Sequence, residues 1–591
     1  MKISSFQPPF HVSGGEIRDA RGRYVTLWGV NYYAPFNHNF YNIAELGKEH
    51  FRAVDEDLDH LQLLGVDFLR LHMYEREITD PAGNLVENAN LRVFDYLMEQ
   101  CEKRNIFLMI APISYWNSVQ NQLEQERLYA YWNIGAQEAF GFTNFYSIDA
   151  LLWHPEALAC QERYFRSLFS HRNAFSGKLL REYRNLVVWE LVNEMQFPDR
   201  RLLRPEPRIT AENMIEAIWS RGPLRREFQE HFRAFRADLP EAVSEEEAFG
   251  RFLRQMTDDY FRRFWGMSND YFQGSVLNSQ FYSYNGTPPE ALHELLESSP
   301  WFDTQSVGNY LNAHGFDSVN TDDANHLALA DRHFERLAAR TSKRPLIAYE
   351  FDASCTQNGY PLAALAAMYA ANRVQLAAYF TYTPSAVAAW NPGWLVHYLN
   401  IAHTPARAAA FRAAGEIFRH CRNGSLCRTP EEWSSENFLI RRQGDRVLYR
   451  DRECYCHSGD CSVPPVDPAS LRLVCGRGSS PLVSCDGNGI YMLRHRSGSV
   501  WEFSLFPAQR YLREPARGRA FLSMANRFVS CLREQPVSQL SERPLRLRFP
   551  LFETVRCTCR RTGREYLAEA GEFQLPSGEY LLEAARKVRN S

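Results

Sequence analysis

The chain has 591 residues, 67 of them basic and 70 acidic, for a net charge of −3 at neutral pH. That balance excludes the strongly basic surface of a nucleic-acid or anionic-membrane binder, and no run of about 18 apolar residues is present to span a bilayer. At roughly 100–200 residues per domain, the length calls for two to four domains, or one large barrel with an appendage.

The opening stretch Met1–Glu16 places no apolar segment after Lys2, so no signal peptide is read and a cytoplasmic location is expected. A hairpin is predicted next, with His11–Arg18, a turn at Asp19–Gly22, and Tyr24–Val30. The spacing of Val54, Leu58, Leu61 and Leu64 predicts a helix over Phe51–Leu64. Short apolar runs then alternate with amphipathic stretches. Val25–Asn31, Asp67–His72, Ile106–Ala111, Leu186–Val192, Gly274–Phe281, Ser306–Ala313, Pro345–Glu350 and Leu376–Tyr382 make eight buried strands. Eight such strands alternating with helices predict an α/β fold, a closed (β/α)8 TIM barrel. An open doubly wound sheet is the rival, but no G-x-G-x-x-G follows the first strand.

Two connections are long. Residues 113–183 carry Tyr115, Trp116, Tyr129, Tyr131, Trp132, Phe140, Phe142, Phe145, Tyr146 and Trp153. Residues 195–273 carry helical patterns at Thr210–Arg221 and Ser244–Trp265. Both leave the C-terminal ends of strands, the face on which barrel enzymes hold their sites, so both are candidate walls of a site. The second could equally pack on the outside of the barrel.

After His420 helical periodicity fades. Phe438–Arg441, Arg446–Tyr449, Leu471–Val474, Gly489–Arg494, Ser499–Leu505, Leu545–Phe549 and Glu579–Ala584 read as strands between turn signals, with one helical interruption at Arg517–Glu534. The expected division is a barrel over residues 1–420 and a mostly β, sandwich-like domain over 421–591. Three of the 13 cysteines precede residue 420, and the odd total argues against a complete disulfide framework. Cys454, Cys456, His457 and Cys461 form the tightest group, but C-x-C-H-x3-C is not a common zinc spacing, and no metal is expected. The β domain is assigned to packing or assembly, which allows a homo-oligomer.

Two strands end in a carboxylate. Asn185-Leu-Val-Val-Trp-Glu-Leu-Val-Asn-Glu194 carries an apolar strand into Asn193-Glu194, and Arg344-Pro-Leu-Ile-Ala-Tyr-Glu350 does the same with one Glu. A carboxylate at the end of a buried strand is costly unless it is paired or used. Strand-Asn-Glu near strand four with strand-Glu near strand seven resembles clan A of the glycoside hydrolases, especially the family 5 cellulase, mannanase and β-mannosidase group. Gly29-Val-Asn31-Tyr resembles the clan's first strand, and Gly65-Val-Asp-Phe-Leu-Arg70-Leu-His72 its second.

The resemblance covers roughly residues 10–420 and implies a retaining β-glycoside hydrolase with Glu194 as general acid/base and Glu350 as nucleophile. It implies that Arg70 holds Glu350 ionised and that Asn193 bonds the sugar 2-hydroxyl. His72 and His314 become substrate-site residues, and Trp390 the sugar platform, with Trp394 competing. The clan commonly places a Tyr two residues after the strand-six His, and this chain has Phe316 there. Tyr282 or Tyr284 is the candidate to supply the missing hydroxyl. An oligosaccharide or glycoside is the expected substrate, with no cofactor. Exo-action on β-mannosides, β-galactosides or β-glucosides is the favoured reading, because the inserts narrow a cleft to a pocket. An endo-acting mannanase or cellulase, and a catalytically dead sugar-binding barrel, are the alternatives.

Overall fold

The structure is a computed structural model and describes residues 6–114, 141–207, 220–280, 290–311, 321–339, 343–390, 397–421, 426–512, 536–550, 552–569 and 571–586. His314, Phe316, Tyr282, Tyr284, Trp394, the predicted helix at Arg517–Glu534, most of the predicted helix Thr210–Arg221 and the aromatic run from Tyr115 to Phe140 lie outside the described residues.

A two-stranded hairpin comes first, β1 (His11–Ser13) and β2 (Glu16–Arg18). It reverses at Gly14 and Gly15, both at positive φ, inside the segment read from sequence as a single arm. Glycine permits that backbone at no steric cost. The predicted turn at Asp19–Gly22 also forms, closed by Gly22 N–H on the Asp19 carbonyl at 2.8 Å.

Eight parallel strands then close a barrel: β3 (Leu27–Tyr32), β4 (Phe68–His72), β5 (Phe107–Ala111), β6 (Leu186–Trp189), β7 (Leu277–Gln280), β8 (Thr304–Tyr310), β9 (Leu346–Asp352) and β10 (Val374–Tyr379), with β10 pairing back on β3. Alternation along each strand divides two cores. Phe68, Phe107, Met109, Val188, Leu277, Ile347, Leu376 and Ala378 fill the interior, and Phe10 and Ile17 of the hairpin region join the same cluster. Trp28, Leu69, Leu71, Leu108, Ile110, Trp189, Ala348 and Phe351 face outward into the helix layer. Gln375 of β10 ties the hairpin on, bonding the Ile17 N–H and the Ile17 and Val25 carbonyls.

The interior is tight enough to demand glycine at one position. A Cβ on Gly29 would lie 2.3 Å from the Phe68 carbonyl oxygen and 2.5 Å from its ring. Gly29→Ala should therefore destabilise the barrel by about 1–3 kcal/mol. Equilibrium denaturation in urea would show it as a lowered midpoint, and an unchanged midpoint would mean that the β3–β4 contact relaxes freely.

Side-chain caps start several of the helices. Glu49 accepts from Phe51 and Arg52 at the start of His50–Leu63, and Asn88 accepts from Leu91 at the start of Ala89–Lys103. In the second insert Ser244 caps a long helix, Glu245–Phe272, and an unpredicted helix, Gly222–Ala237, precedes it. The long helix packs outside the barrel: Phe264 meets Phe165, Phe272 meets Trp189, and Tyr260 donates to Gln161. No helix among the described residues is long and apolar enough to cross a membrane.

From Cys427 onward the chain is mostly β. An eleven-stranded sheet lies beside a three-stranded one formed by Ser484–Cys485, Leu545–Arg548 and Glu572–Leu575. The large sheet uses both faces. Tyr449, Cys454, Cys456, Cys475 and Met492 join the core that contains helix Pro405–His420, whereas Leu448, Tyr455, Val474, Tyr491 and Leu493 form a second core with Leu545, Leu547, Phe573 and Leu575. The alternation that builds two faces also separates the cysteine motif. Cys454 and Cys456 face the barrel helix, while His457 turns the other way to bond the Gly459 carbonyl and Tyr491 hydroxyl. Among the described residues no group of three or more His, Cys, Asp or Glu is arranged to hold a metal, and the described cysteines are free thiols.

Candidate active site

The site lies at the C-terminal ends of the barrel strands, and its centre is Arg70. Strand alternation points Arg70 and His72 of β4 inward, above the apolar interior layer of Phe68. The Arg70 side chain is fully buried, and each of its nitrogens has an acceptor. Nε and Nη2 donate to Glu190 Oε2 at 3.0 and 2.8 Å, Nη2 also to Asn193 Oδ1 at 2.9 Å, and Nη1 to Asn31 Oδ1 at 3.0 Å and Glu350 Oε1 at 2.8 Å. Burial opposes its charge, but Glu190 and Glu350 more than compensate, and its pKa is raised. One guanidinium thus gathers residues from β3, β4 and β9 and from the chain just beyond β6. Asn31 is fixed in turn by donating to the Tyr349 carbonyl at 3.0 Å.

Glu350 sits near the end of β9. Its Oε1 receives Arg70, and its Oε2 receives the Tyr310 hydroxyl at 2.5 Å. His72 Nε2 lies 3.1 Å from Oε1. Burial by itself would raise the Glu350 pKa, but the contacts with His72, Arg70 and Tyr310 outweigh it and hold the carboxyl below its usual value. Burial and the neighbouring Arg70 lower His72 to about 4, so its ring is neutral at neutral pH. Burial and the Glu350 charge push the Tyr310 phenol far up, which keeps its proton for donation.

Glu194 follows Asn193, whose N–H bonds the Ile113 carbonyl at 2.8 Å. Its backbone takes φ +49°, a left-handed conformation that costs a residue with a Cβ on the order of 1–2 kcal/mol. The Tyr349 hydroxyl donates to Glu194 Oε1 at 3.0 Å. Consecutive residues Tyr349 and Glu350 both reach the site because the β8–β9 register shifts between Val307 and Gly308, pairing Ala348 and then Glu350. Gly308 leaves the room this requires: a Cβ there would lie 2.8 Å from the Tyr349 hydroxyl.

An aromatic wall closes the cluster. The Phe380 ring stands nearly perpendicular to Tyr33, Tyr310 and His397 at 5.8, 6.2 and 5.1 Å, and 6.3 Å from His72. His397 Nδ1 pairs with Asp352 at 2.9 Å, and Asp352 also pairs with Arg407.

The structure therefore brings together Glu194, Glu350, Arg70, His72 and Asn193 from the residues singled out in the sequence. Trp390 lies on a short turn, Ala388–Trp390, whose Ala389 carbonyl accepts from Val537 of the β region; Phe380 is an aromatic ring of the cluster that the sequence reading did not single out. The hydroxyl sought for Glu350 comes from Tyr310, at the end of β8 and four residues before His314. Glu190, Asn31, Tyr349 and His397 were also passed over as site residues. For Glu190 the signal was present: it lies two residues beyond the inward-facing Val188, on the same apolar run as Glu194.

A (β/α)8 barrel carrying two strand-end glutamates on one arginine-centred network is the class of protein that fold and site define. No family model matches the sequence, and no curated protein matches it significantly. Among solved structures the chain is similar to a glycoside hydrolase family 5 mannosidase from Rhizomucor miehei, at 11% identity and a TM-score of 0.45, covering 71% of this chain and 99% of that one. It is similar to an endo-1,4-β-mannanase from the same organism at 12% identity and TM-score 0.42, covering 70% and 99%. An exo-β-1,4-mannosidase from Opitutaceae bacterium strain TAV5 matches at 14% identity and TM-score 0.37, covering 63% and 55%.

Proposed function

We propose that the protein is a retaining β-glycoside hydrolase that acts from the chain end. The observation that supports this reading is the pair Glu350 and Glu194, linked by Tyr349. Tyr349 donates to Glu194 Oε1, and the next residue, Glu350, bonds Arg70, so both carboxyls act on the one phenol. Retaining hydrolysis needs two carboxyls about 5 Å apart, one ionised and one able to give and take a proton.

Glu350 is suited to attack, because its contacts hold it ionised. Its carboxylate would form an ester bond to the anomeric carbon as the glycosidic C–O bond breaks, with Glu194 delivering its proton to the departing oxygen. Glu194, now a base, would take a proton from water, and the hydroxide equivalent would displace Glu350. Fixing the Asn193 carboxamide oxygen on Arg70 leaves its N–H2 as the group to meet a sugar hydroxyl, a contact that strengthens in the transition state. The exo-acting part of the reading rests on the two long inserts at the C-terminal ends of the strands, which would narrow a cleft to a pocket.

A panel of nitrophenyl β-mannoside, β-galactoside, β-glucoside and β-glucuronide, with product stereochemistry read by NMR, tests this. Cleavage of at least one with the β-product formed first is expected. An inverted first product would remove the retaining mechanism, fast viscosity loss on polymeric mannan or cellulose would move the reading to endo-action, and sugar binding without any cleavage would leave a sugar-binding barrel.

A further inference from the structure

Glu190 is a buried acid that the double displacement does not use. It follows β6 directly, its N–H bonds the Ile110 carbonyl of β5 at 2.8 Å, and its side chain is shut off from solvent. Among the described residues Oε2 is engaged by Arg70 Nε and Nη2, while Oε1 is buried with no hydrogen-bond partner. A buried acid with one orphaned oxygen is a poor device for stability, because desolvation of the pair and of the free oxygen both cost. What the arrangement does is geometric and electrostatic. Glu190 grips one edge of the guanidinium, so the remaining nitrogen, Nη1, is aimed at Glu350.

We propose that Glu190 is a positioning residue for the nucleophile: it orients Arg70 and shares its single positive charge, so that Glu350 is held in place without being over-stabilised as an anion. This rests on the hydrolase reading for its consequence in catalysis, though not for its effect on Glu350. With Glu190 ionised, Arg70 serves two carboxylates and the site stays near charge balance. Without that charge the whole guanidinium acts on Glu350, which becomes a weaker nucleophile, and an uncompensated cation faces the positive charge that develops on the sugar.

The charged and titratable groups around the pair are few. Arg70 and Glu350 face Glu190. Arg70, His72, Tyr310 and Glu190 act on Glu350, and Tyr33 and Tyr349 stand near it, the Tyr349 ring lying 4.9 Å under Arg70. Burial pushes the Glu190 carboxyl up to about 7, with Glu350 adding to the rise and Arg70 opposing it. The two acids are linked through one arginine, so the activity profile should carry a step belonging to Glu190. Rising pH ionises Glu190, eases the grip of Arg70 on Glu350, and raises kcat/KM.

The test uses the full chain as wild type, Glu190→Gln and Glu190→Asp, with the fold checked by circular dichroism. The readouts are kcat/KM against pH on an aryl β-glycoside, and an infrared titration of the Glu350 carboxylate taken as a difference against Glu350→Gln. For Glu190→Gln we expect kcat/KM to fall on the order of 100-fold, the step near neutral pH to vanish, and the Glu350 midpoint to move to lower pH. Glu190→Asp keeps the charge but withdraws the grip, so it should lose rate and keep the step.

Rate loss in Glu190→Gln with the step and the Glu350 midpoint unmoved would reduce Glu190 to a structural role and overturn the proposal, as would a wild-type rate. If Gln does not fold, Glu190→Asp decides: a lowered rate with the step kept supports the proposal, and an unchanged rate overturns it. A wild type that cleaves no glycoside while Glu190→Gln still moves the Glu350 midpoint would sink the hydrolase reading and leave the charge sharing intact.

Discussion

Glu350→Ala should abolish turnover of aryl β-glycosides, by roughly 10⁴- to 10⁶-fold, the scale on which removal of a covalent nucleophile registers. The loss should be chemical and not structural. Glu350 is held by Arg70, His72 and Tyr310, and the truncation leaves Arg70 its contacts with Glu190, Asn31 and Asn193. The cavity takes the place of a carboxylate beside an intact guanidinium, so it is a ready seat for a small anion. Azide added to the variant should restore consumption of an activated glycoside and give the glycosyl azide of inverted configuration, because azide attacks from the side Glu350 occupied and nothing displaces it afterwards. NMR of the product distinguishes this from leaked wild-type activity, which gives the retained sugar. Wild-type-like turnover in the variant would remove the nucleophile assignment, and azide rescue with a retained product would place the nucleophile elsewhere.

The residues whose role depends on strand parity and strand ends could be read from the sequence, and those whose role depends on register or on packing could not. Glu194 and Glu350 end apolar runs, and Arg70 and His72 share a face by the period of two. The eight strands were visible for the same reason, with ends displaced by a few residues, as in Thr304–Tyr310 against the predicted Ser306–Ala313. That displacement decides a site residue: ending the strand at Tyr310 puts its phenol on Glu350, whereas a strand running on to Ala313 directs attention past it, to His314 and Phe316. Tyr349 enters through a register shift beside Gly308 that no periodicity encodes. Phe380 and His397 meet across Tyr310 from the end of β10 and the loop beyond, a contact set by the packing of three rings. In the β region, alternation accounts for the two faces of the large sheet and for the separation of Cys456 from His457, which the linear motif C-x-C-H concealed.

Glu194→Ala should give a variant whose defect depends on the substrate, and that dependence is what identifies an acid/base. When the leaving group is a poor one, such as a sugar hydroxyl, the proton from Glu194 is needed for bond cleavage, and the rate should fall by roughly 10²- to 10⁴-fold, the contribution of a placed general acid. When the leaving group is dinitrophenolate, departure needs no proton, and the first step should run near the wild-type rate. The second step still needs a base to activate water, so the glycosyl-enzyme on Glu350 should accumulate. That predicts a burst of dinitrophenol followed by slow turnover, a lowered KM, and a mass increase on the peptide containing Glu350. Azide should speed the second step here and yield the retained glycosyl azide, the opposite stereochemistry to that expected for Glu350→Ala. Tyr349 gives an internal check. Its hydroxyl touches Glu194 at 3.0 Å and its burial keeps it protonated, so it stays a neutral donor in the variant and cannot act as the base at neutral pH. An equal loss on activated and unactivated glycosides, with no burst, would mean that Glu194 holds structure or substrate and moves no proton.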